Sequence, residues 1–319
     1  MGKGSQAGSA DSRSCVRQSQ SNRSSPWVNR KPDYAEGMSA MKLLDTYALN
    51  DGTRIPLIGL GTYNLRGHAG VESMVNAVHA GYRLLDSAFN YENEGALGQA
   101  VRTCGVPRED LCLVSKLPGR HHRYEQAVDT VEESLFSAGL DYWDLYLIHW
   151  PNPRQGLYVE AFQALVDLQK KGLIRSVGVS NFLPEHIEHL RDEVGVVPAI
   201  NQIELHPYFP QAESLEAHRN LGVQTMSWSP LARKLRVVDE PVLAKIGTET
   251  GKSPAQIVIR WHLQLGTLPI PKSASKERQA ANLDVFDFEL SEDQMARIAT
   301  LARPDGRSAN QDPAFYEEF

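Results

Sequence analysis

Two periods of hydrophobic and polar positions alternate along this chain. From Met41 onward, short apolar runs recur, and most are followed by a stretch with apolar residues at helical spacing. The apolar runs predict strands over 56–61, 82–88, 111–116, 144–150, 176–181, 200–205, 223–228 and 267–272. The helical spacing predicts helices near 70–80, 93–103, 124–138, 158–171, 184–194, 212–221, 253–265 and 276–282. The seventh helix carries its own boundary signals: Ser253 as N-cap, Pro254 at the first position and Gly266 just past the end. Ahead of all this, "DTYALNDGTRIPLIGLG" reads as two short strands turning at Asn50-Asp51-Gly52, a strong hairpin signal.

Eight strands alternating with eight helices predict an α/β chain of one domain, a (β/α)8 TIM barrel, with the hairpin closing its bottom. The rival is a doubly wound open sheet. That fold calls for a Gly-x-Gly-x-x-Gly turn after an early strand. "GLGTYN" from Gly59 has two glycines, no third, and no helix directly after it, so the barrel is preferred.

The first 40 residues follow neither period. They are rich in Ser, Gln, Gly and Arg and hold almost nothing apolar, so they are expected to be a disordered extension before a barrel spanning 41–319. They lack the apolar core of a secretory signal. Their Arg and Ser content weakly suggests a transit peptide, but without an apolar helical face, and the "NRS" at Asn22 carries no weight without a signal peptide. Met38 and Met41 both precede the first residue that looks folded.

Composition narrows the function classes. The 319 residues are 41% hydrophobic and 23% charged, normal for a globular protein, with a net charge of −6. The first 40 hold six Lys and Arg against three Asp and Glu, which leaves −9 on the rest. An acidic body argues against nucleic acid as a partner. No apolar run reaches the roughly 18 residues of a membrane helix, so no membrane partner is expected. Cys15, Cys104 and Cys112 form no disulfide framework and no Cys-x-x-Cys motif; reduced thiols in a cytoplasmic enzyme fit them best.

In a parallel barrel, chemistry sits at the C-terminal ends of the strands. The second strand ends at Asp86, with Tyr91 just beyond; the third ends at Lys116 and the fourth at His149. The fifth ends at Ser180 and Asn181, the sixth carries Gln202, the seventh ends at Trp228 and the eighth at Lys272 and Ser273. Each has a bland alternative. Asp86 could be a turn or cap residue, Lys116 could point to solvent, and His149 could be a bonded core histidine. Together, however, an acid, a base, a phenol and an imidazole from three adjacent strands converge on one mouth. That combination is a proton-transfer site. A carboxylate in an apolar strand also needs a cation, and Lys116 can supply it. Metal binding is not expected: His121-His122 and the pair His186 and His189 lack a third ligand at useful spacing and are read as solvated surface.

"GYRLLDSAFNYENE", "LVSK", "LIHWP", "VGVSNF", "NQIELHP" and "IPKS", in this order, resemble the aldo-keto reductases from about Thr46 to about Asp305. The short connection after the seventh strand and the tail ending at Phe319 resemble the bacterial branch that includes 2,5-diketo-gluconate reductases. The resemblance implies a catalytic tetrad of Asp86, Tyr91, Lys116 and His149. Tyr91 would give a proton to a carbonyl oxygen as NADPH delivers hydride. Lys116 would favour the phenolate and lower the Tyr91 pKa, Asp86 would hold Lys116, and His149 would orient the carbonyl. It also implies cofactor contacts. Ser180, Asn181 and Gln202 would hold the nicotinamide amide, and Trp228 would stack on the ring. Gly61 and Thr62 would lie nearby, and Ser229 and Leu231 would line the pyrophosphate. Lys272, Ser273 and Arg278 would bind the 2′-phosphate and Asn282 the adenine. Two cations and a hydroxyl suit a phosphate monoester, so NADPH is expected over NADH. Ala281 departs from the Glu many relatives carry there, which removes one adenine hydrogen bond. The implied activity is reduction of small-molecule aldehydes or ketones. The loop "LPGRHHRYE", the stretch after Trp228 and the tail "NQDPAFYEEF" would shape the substrate pocket. A binding or regulatory barrel, as in the potassium-channel β-subunits, and a barrel isomerase or lyase without nicotinamide are the rivals.

Overall fold

A hairpin of β1 (Thr46–Ala48) and β2 (Arg54–Pro56) opens the folded chain, antiparallel, with Tyr47 opposite Ile55. In this computed structural model residues 1, 41–309 and 311–319 are described; apart from Met1, the extension expected over 1–40 lies outside them. After the hairpin come β3 (Leu60–Gly61), β4 (Leu84–Asp86), β5 (Cys112–Leu117) and β6 (Trp143–Ile148). Then follow β7 (Ile174–Ser180), β8 (Ile200–Glu204), β9 (Gln224–Trp228) and β10 (Leu268–Pro269). These eight are parallel and lie side by side in sequence order. Gly59 N–H donates to the Pro269 carbonyl (3.1 Å) and Gly61 N–H to the Pro271 carbonyl (3.3 Å), which joins the last strand to the first and closes the barrel.

The helices between them are α1 (Gly67–Ala80), α2 (Glu94–Thr103), α3 (Tyr124–Ala138), α4 (Tyr158–Lys170) and α5 (Pro184–Val194). The second half holds α6 (Ala212–Leu221), α7 (Pro241–Thr250), α8 (Pro254–Gln264), α9 (Lys276–Leu283) and α10 (Glu292–Ala299). The eight expected helices are present. α7 and α10 are additional and pack on one another outside the strand–helix alternation. The outer strands are also shorter than expected. The 56–61 run divides between the hairpin and β3, and the 267–272 run is cut to two residues because Pro269 and Pro271 have no N–H to donate. No helix among the described residues is long and apolar enough to cross a membrane.

Strand side chains alternate between faces. Leu84, Val114, Leu145, Leu147, Ile200, Met226, Leu268 and Ile270 pack together inside the barrel. Leu85, Leu113, Tyr146, Ile148 and Val177 face outward into the layer beneath the helices. Leu49 and Ile55 of the hairpin join the inner cluster, and Asn50 donates to the Pro198 carbonyl (3.2 Å) at the start of β8. The hairpin therefore plugs the N-terminal end. The same alternation carries Asp86, two residues after Leu84, and Lys116, two after Val114, into the interior at the opposite end.

Candidate active site

Asp86 and Lys116 meet at the mouth of the barrel. Lys116 Nζ lies 2.9 Å from each Asp86 carboxylate oxygen and donates to the Ser87 carbonyl at 2.6 Å. Both side chains are almost fully buried. Burial, the largest single effect, would pull the Lys116 pKa down; Asp86 and Tyr91 together outweigh it and hold the ammonium charged, its pKa above the ordinary value. Gln202, from β8, donates to Asp86 Oδ1 at 2.7 Å, and Thr62, just after β3, donates its hydroxyl to the Asp86 carbonyl at 2.9 Å.

Tyr91 stands above this pair. Its ring centroid is 5.0 Å from Lys116 Nζ and 6.0 Å from the His149 ring, with Tyr63 edge-on at 5.1 Å. The turn that carries Tyr91 is held by Asn93, whose amide donates to Thr62 O (2.9 Å) and Leu65 O (3.1 Å) and accepts the Ser87 hydroxyl (2.6 Å). The Tyr91 pKa moves opposite to the expectation. Burial pushes it up, Lys116 pulls it down, and burial is the larger effect. In this protein environment the phenol keeps its proton, which a proton donor requires.

His149 follows β6 directly. Its Nδ1 lies 2.7 Å from Oε1 of Glu318, from the C-terminal tail. The expected cofactor residues of the middle strands form a second cluster beside it. Asn181, in the left-handed region at φ 63°, donates to the His149 carbonyl and to Ser180 Oγ, both at 3.0 Å, and accepts the Trp228 indole N–H at 2.8 Å. Ser180 donates to the Gln202 carbonyl at 2.9 Å. Arg233 lies 5.1 Å from the Trp228 ring and 5.7 Å from that of Tyr63. The loop after β9 is tightly wound: Ser229, Ala232, Arg233 and Arg236 all have positive φ, with Leu231 half-buried among them.

Beyond β10, Ser273 is buried and its hydroxyl contacts the Ser275 backbone, while Lys272 and Arg278 are exposed. Neither cation forms a salt bridge among the described residues. Ser275 caps α9, accepting the Arg278 N–H at 3.3 Å. Asn282 is buried and Ala281 exposed on the same helix. Gly61 has no room for a side chain: a Cβ there would lie 2.9 Å from the Ile270 carbonyl.

Of the four extra histidines, His189 is exposed as expected, while the other three are partly or fully buried. His122 is buried, and burial lowers its pKa to about 4. His121 contacts Thr130 Oγ1 (2.8 Å), His186 accepts the Leu183 N–H (3.2 Å), and His189 contacts the Tyr158 hydroxyl (2.7 Å). They are structural contacts of the loops and of α5. No cluster able to hold a metal occurs among the described residues, and Cys104 and Cys112 are free. Sequence reasoning missed Asn93, Arg233 and Glu318. Asn93 was readable, two residues past Tyr91 in "NYENE"; the other two carry no local signal.

Comparison with known proteins places the chain in a family. The chain is 50% identical over 279 residues to 2,5-diketo-D-gluconic acid reductase B from Corynebacterium sp. (strain SHS752001), spanning 88% of this chain and 100% of that protein. It is 42% identical over 266 residues to methylglyoxal reductase DkgA from Escherichia coli (strain K12), 83% of this chain and 95% of that one. A crystal structure of a mutant of Gox0644 in complex with NADPH superposes with a TM-score of 0.82 at 41% identity, covering 86% of this chain and 98% of that chain. The model of the aldo/keto reductase family matches residues 57–303, and the chain belongs to that family.

Proposed function

We propose that the protein is an NADPH-dependent oxidoreductase that reduces aldehydes or ketones of small molecules to alcohols. The observation that carries this reading is the buried Lys116–Asp86 pair beneath the Tyr91 ring. It places a fixed charge under a phenol at the only end of the barrel the hairpin leaves open. A barrel kept solely for binding or regulation has no use for so costly a buried pair.

The residues present suit the cofactor. Lys272 and Arg278 offer two cations at the start of α9 beside the Ser273 hydroxyl, a donor set matched to a phosphate monoester. This is the basis for NADPH over NADH. Ser180, Asn181 and Gln202 offer amide and hydroxyl groups near the Trp228 face, with Gly61 and Thr62 across the mouth and Ser229 and Leu231 in the wound loop. Asn282 lies further along α9. When bound, the nicotinamide supplies a hydride to the carbonyl carbon.

The protein supplies the proton and the geometry. Tyr91 donates its phenolic proton to the carbonyl oxygen as negative charge develops there. Lys116 stabilises the resulting phenolate, and Asp86 fixes Lys116 without cancelling its effect. His149 hydrogen-bonds the same oxygen and sets its orientation. The pocket wall comes from Tyr63, Trp150, Arg233 and the tail. The test is a panel of carbonyl compounds with NADPH consumption followed at 340 nm (roughly, the nicotinamide band). Oxidation of NADPH only with carbonyls present, giving the matching alcohols, supports the reading. No consumption with any aldehyde, by protein that binds NADPH, rejects it.

A further inference from the structure

α9 starts just after Lys272 and Ser273, and it has little apolar surface to hold it in place. Of its eight residues only Gln279, Asn282 and Leu283 are buried. Two of those three are amides, so buried hydrocarbon contributes little and polar contacts must fix where the helix sits. Gln279 makes them. Its side chain is fully buried, and Nε2 donates to the Ser273 carbonyl at 2.9 Å and toward Ser73, whose carbonyl and hydroxyl both lie at 3.1 Å. Ser73 belongs to α1, the helix after the first barrel strand, and its own hydroxyl reaches the Ser273 carbonyl at 3.5 Å. The Ser273 backbone is thus tied to two helices, while its hydroxyl bonds the Ser275 backbone.

The Gln279 amide can point only one way. Turned round, its oxygen would face the Ser73 and Ser273 carbonyls, and acceptors at that distance repel. In the orientation observed the oxygen has no partner among the described residues. A buried unpaired acceptor costs stability, so packing alone would favour a hydrocarbon side chain here. What the amide adds is a fixed place for the Ser273 carbonyl and for the first turn of α9. Successive helical residues lie roughly 100° apart around the axis. Pinning Gln279 inward therefore turns its neighbour Arg278 outward, where it is exposed. Ser275 caps the same turn by accepting the Arg278 N–H at 3.3 Å.

We propose that Gln279 is a positioning residue for cofactor selection: by tying the Ser273 backbone and the first turn of α9 to α1, it holds Lys272, Ser273 and Arg278 in the arrangement that takes a phosphate monoester. This rests on the reading above that these three residues receive the 2′-phosphate of NADPH. Gln279 is fully buried, so it acts through them and not on the cofactor itself. The three groups do not organise one another. Lys272 and Arg278 are exposed and form no salt bridge among the described residues. A charge-assisted contact gains most when its geometry is set before the anion arrives. NADH lacks the phosphate, so its binding does not draw on this arrangement.

The experiment titrates the whole chain with NADPH and with NADH by fluorescence, beside a melting curve for each variant. Gln279→Met keeps the length and the apolar body and removes the donor. It should weaken NADPH binding by about three- to tenfold, the worth of a lost hydrogen bond, and leave NADH binding within a factor of about two. Ser73→Ala is the milder change: it removes one of the two ties to the Ser273 carbonyl. It should shift the NADPH-to-NADH ratio in the same direction by a smaller amount. A purely packing role for Gln279 would lower the melting temperature and weaken both cofactors alike, or neither, and either result overturns the proposal. If Gln279→Met does not fold, Ser73→Ala decides, and an unchanged ratio there overturns the proposal. If the unsubstituted protein binds NADPH no more tightly than NADH, the 2′-phosphate reading fails and takes the proposal with it. A preference for NADPH that persists undiminished in both variants defeats the proposal alone.

Discussion

Lys116 Nζ stands 2.9 Å from both carboxylate oxygens of Asp86, with neither side chain reaching solvent to any useful extent. An ion pair so enclosed is costly to assemble and more costly to break on one side. Asp86→Asn should therefore destabilise the protein by roughly 3–5 kcal/mol, because it leaves a buried ammonium uncompensated. Adding Lys116→Met should recover part of the loss, since no charge then remains to be buried. Urea unfolding of the two single variants and the double variant measures this. Additive single effects would show that the pair is not a unit.

Tyr91→Phe keeps the ring against Tyr63 and His149 and removes only the transferable proton. NADPH should still bind, because its expected contacts come from other strands. Carbonyl reduction should fall by about 10²–10⁴-fold, the usual loss when a general acid is removed. Single-turnover reduction by the preformed NADPH complex isolates the chemistry from cofactor release. If His149 were the donor, Tyr91→Phe would stay nearly active and His149→Gln would be the dead variant.

Arg278 is exposed at the start of α9 and free of salt bridges among the described residues. Arg278→Ala should weaken NADPH binding by roughly 1.5–3 kcal/mol, the worth of a hydrogen bond to a charged group. That is about one to two decades in affinity. NADH binding should change little. Fluorescence titration with both cofactors reads the difference, and equal weakening would place the 2′-phosphate elsewhere.

Glu94 lies on the outer side of the barrel, at the start of α2, and accepts hydrogen bonds from Ser115 and Ser134. Burial raises its pKa from the ordinary 4.5 to about 7, with the two serines opposing. An acid whose folded pKa is raised favours folding below its unfolded pKa. That contribution is lost as pH rises from about 4.5 to about 7, where the unfolded chain ionises and the folded one resists. The loss amounts to at most about 3 kcal/mol. Glu94→Gln keeps the acceptor without the charge. It should raise the melting temperature by several degrees at pH 8 and leave it unchanged near pH 4.5. An equal change at both pH values would remove Glu94 from the account.

The parallel strands were legible because both their faces are buried. Each reads as a short apolar run that ends in polar residues where the barrel opens. The tetrad was legible for the same reason: Asp86 and Lys116 break otherwise apolar runs at the same end. α7 was missed because "PVLAKIGTET" carries a glycine and four β-branched residues, which blur a helical signal. Gly247 is required there by the close approach of the Lys252 carbonyl, 2.5 Å from where a Cβ would stand. Glu318 was illegible because its partner, His149, lies far back in the chain. "YEEF" has no period, and only the closed fold brings the two together. The direction of the Tyr91 shift was also out of reach, because it depends on how deeply the phenol is buried against how near the ammonium stands.

The ring of strands has a weak join. A parallel ladder normally exchanges hydrogen bonds in both directions, each strand donating and accepting in turn. Between β10 and β3 the traffic is one-way: Gly59 and Gly61 donate to the Pro269 and Pro271 carbonyls, and the prolines have nothing to return. The barrel is therefore easiest to part where the first and last strands meet. Amide hydrogen exchange should register this directly. Gly59 and Gly61 should exchange through a local opening, at a lower free energy than the amides shared by β5, β6 and β7.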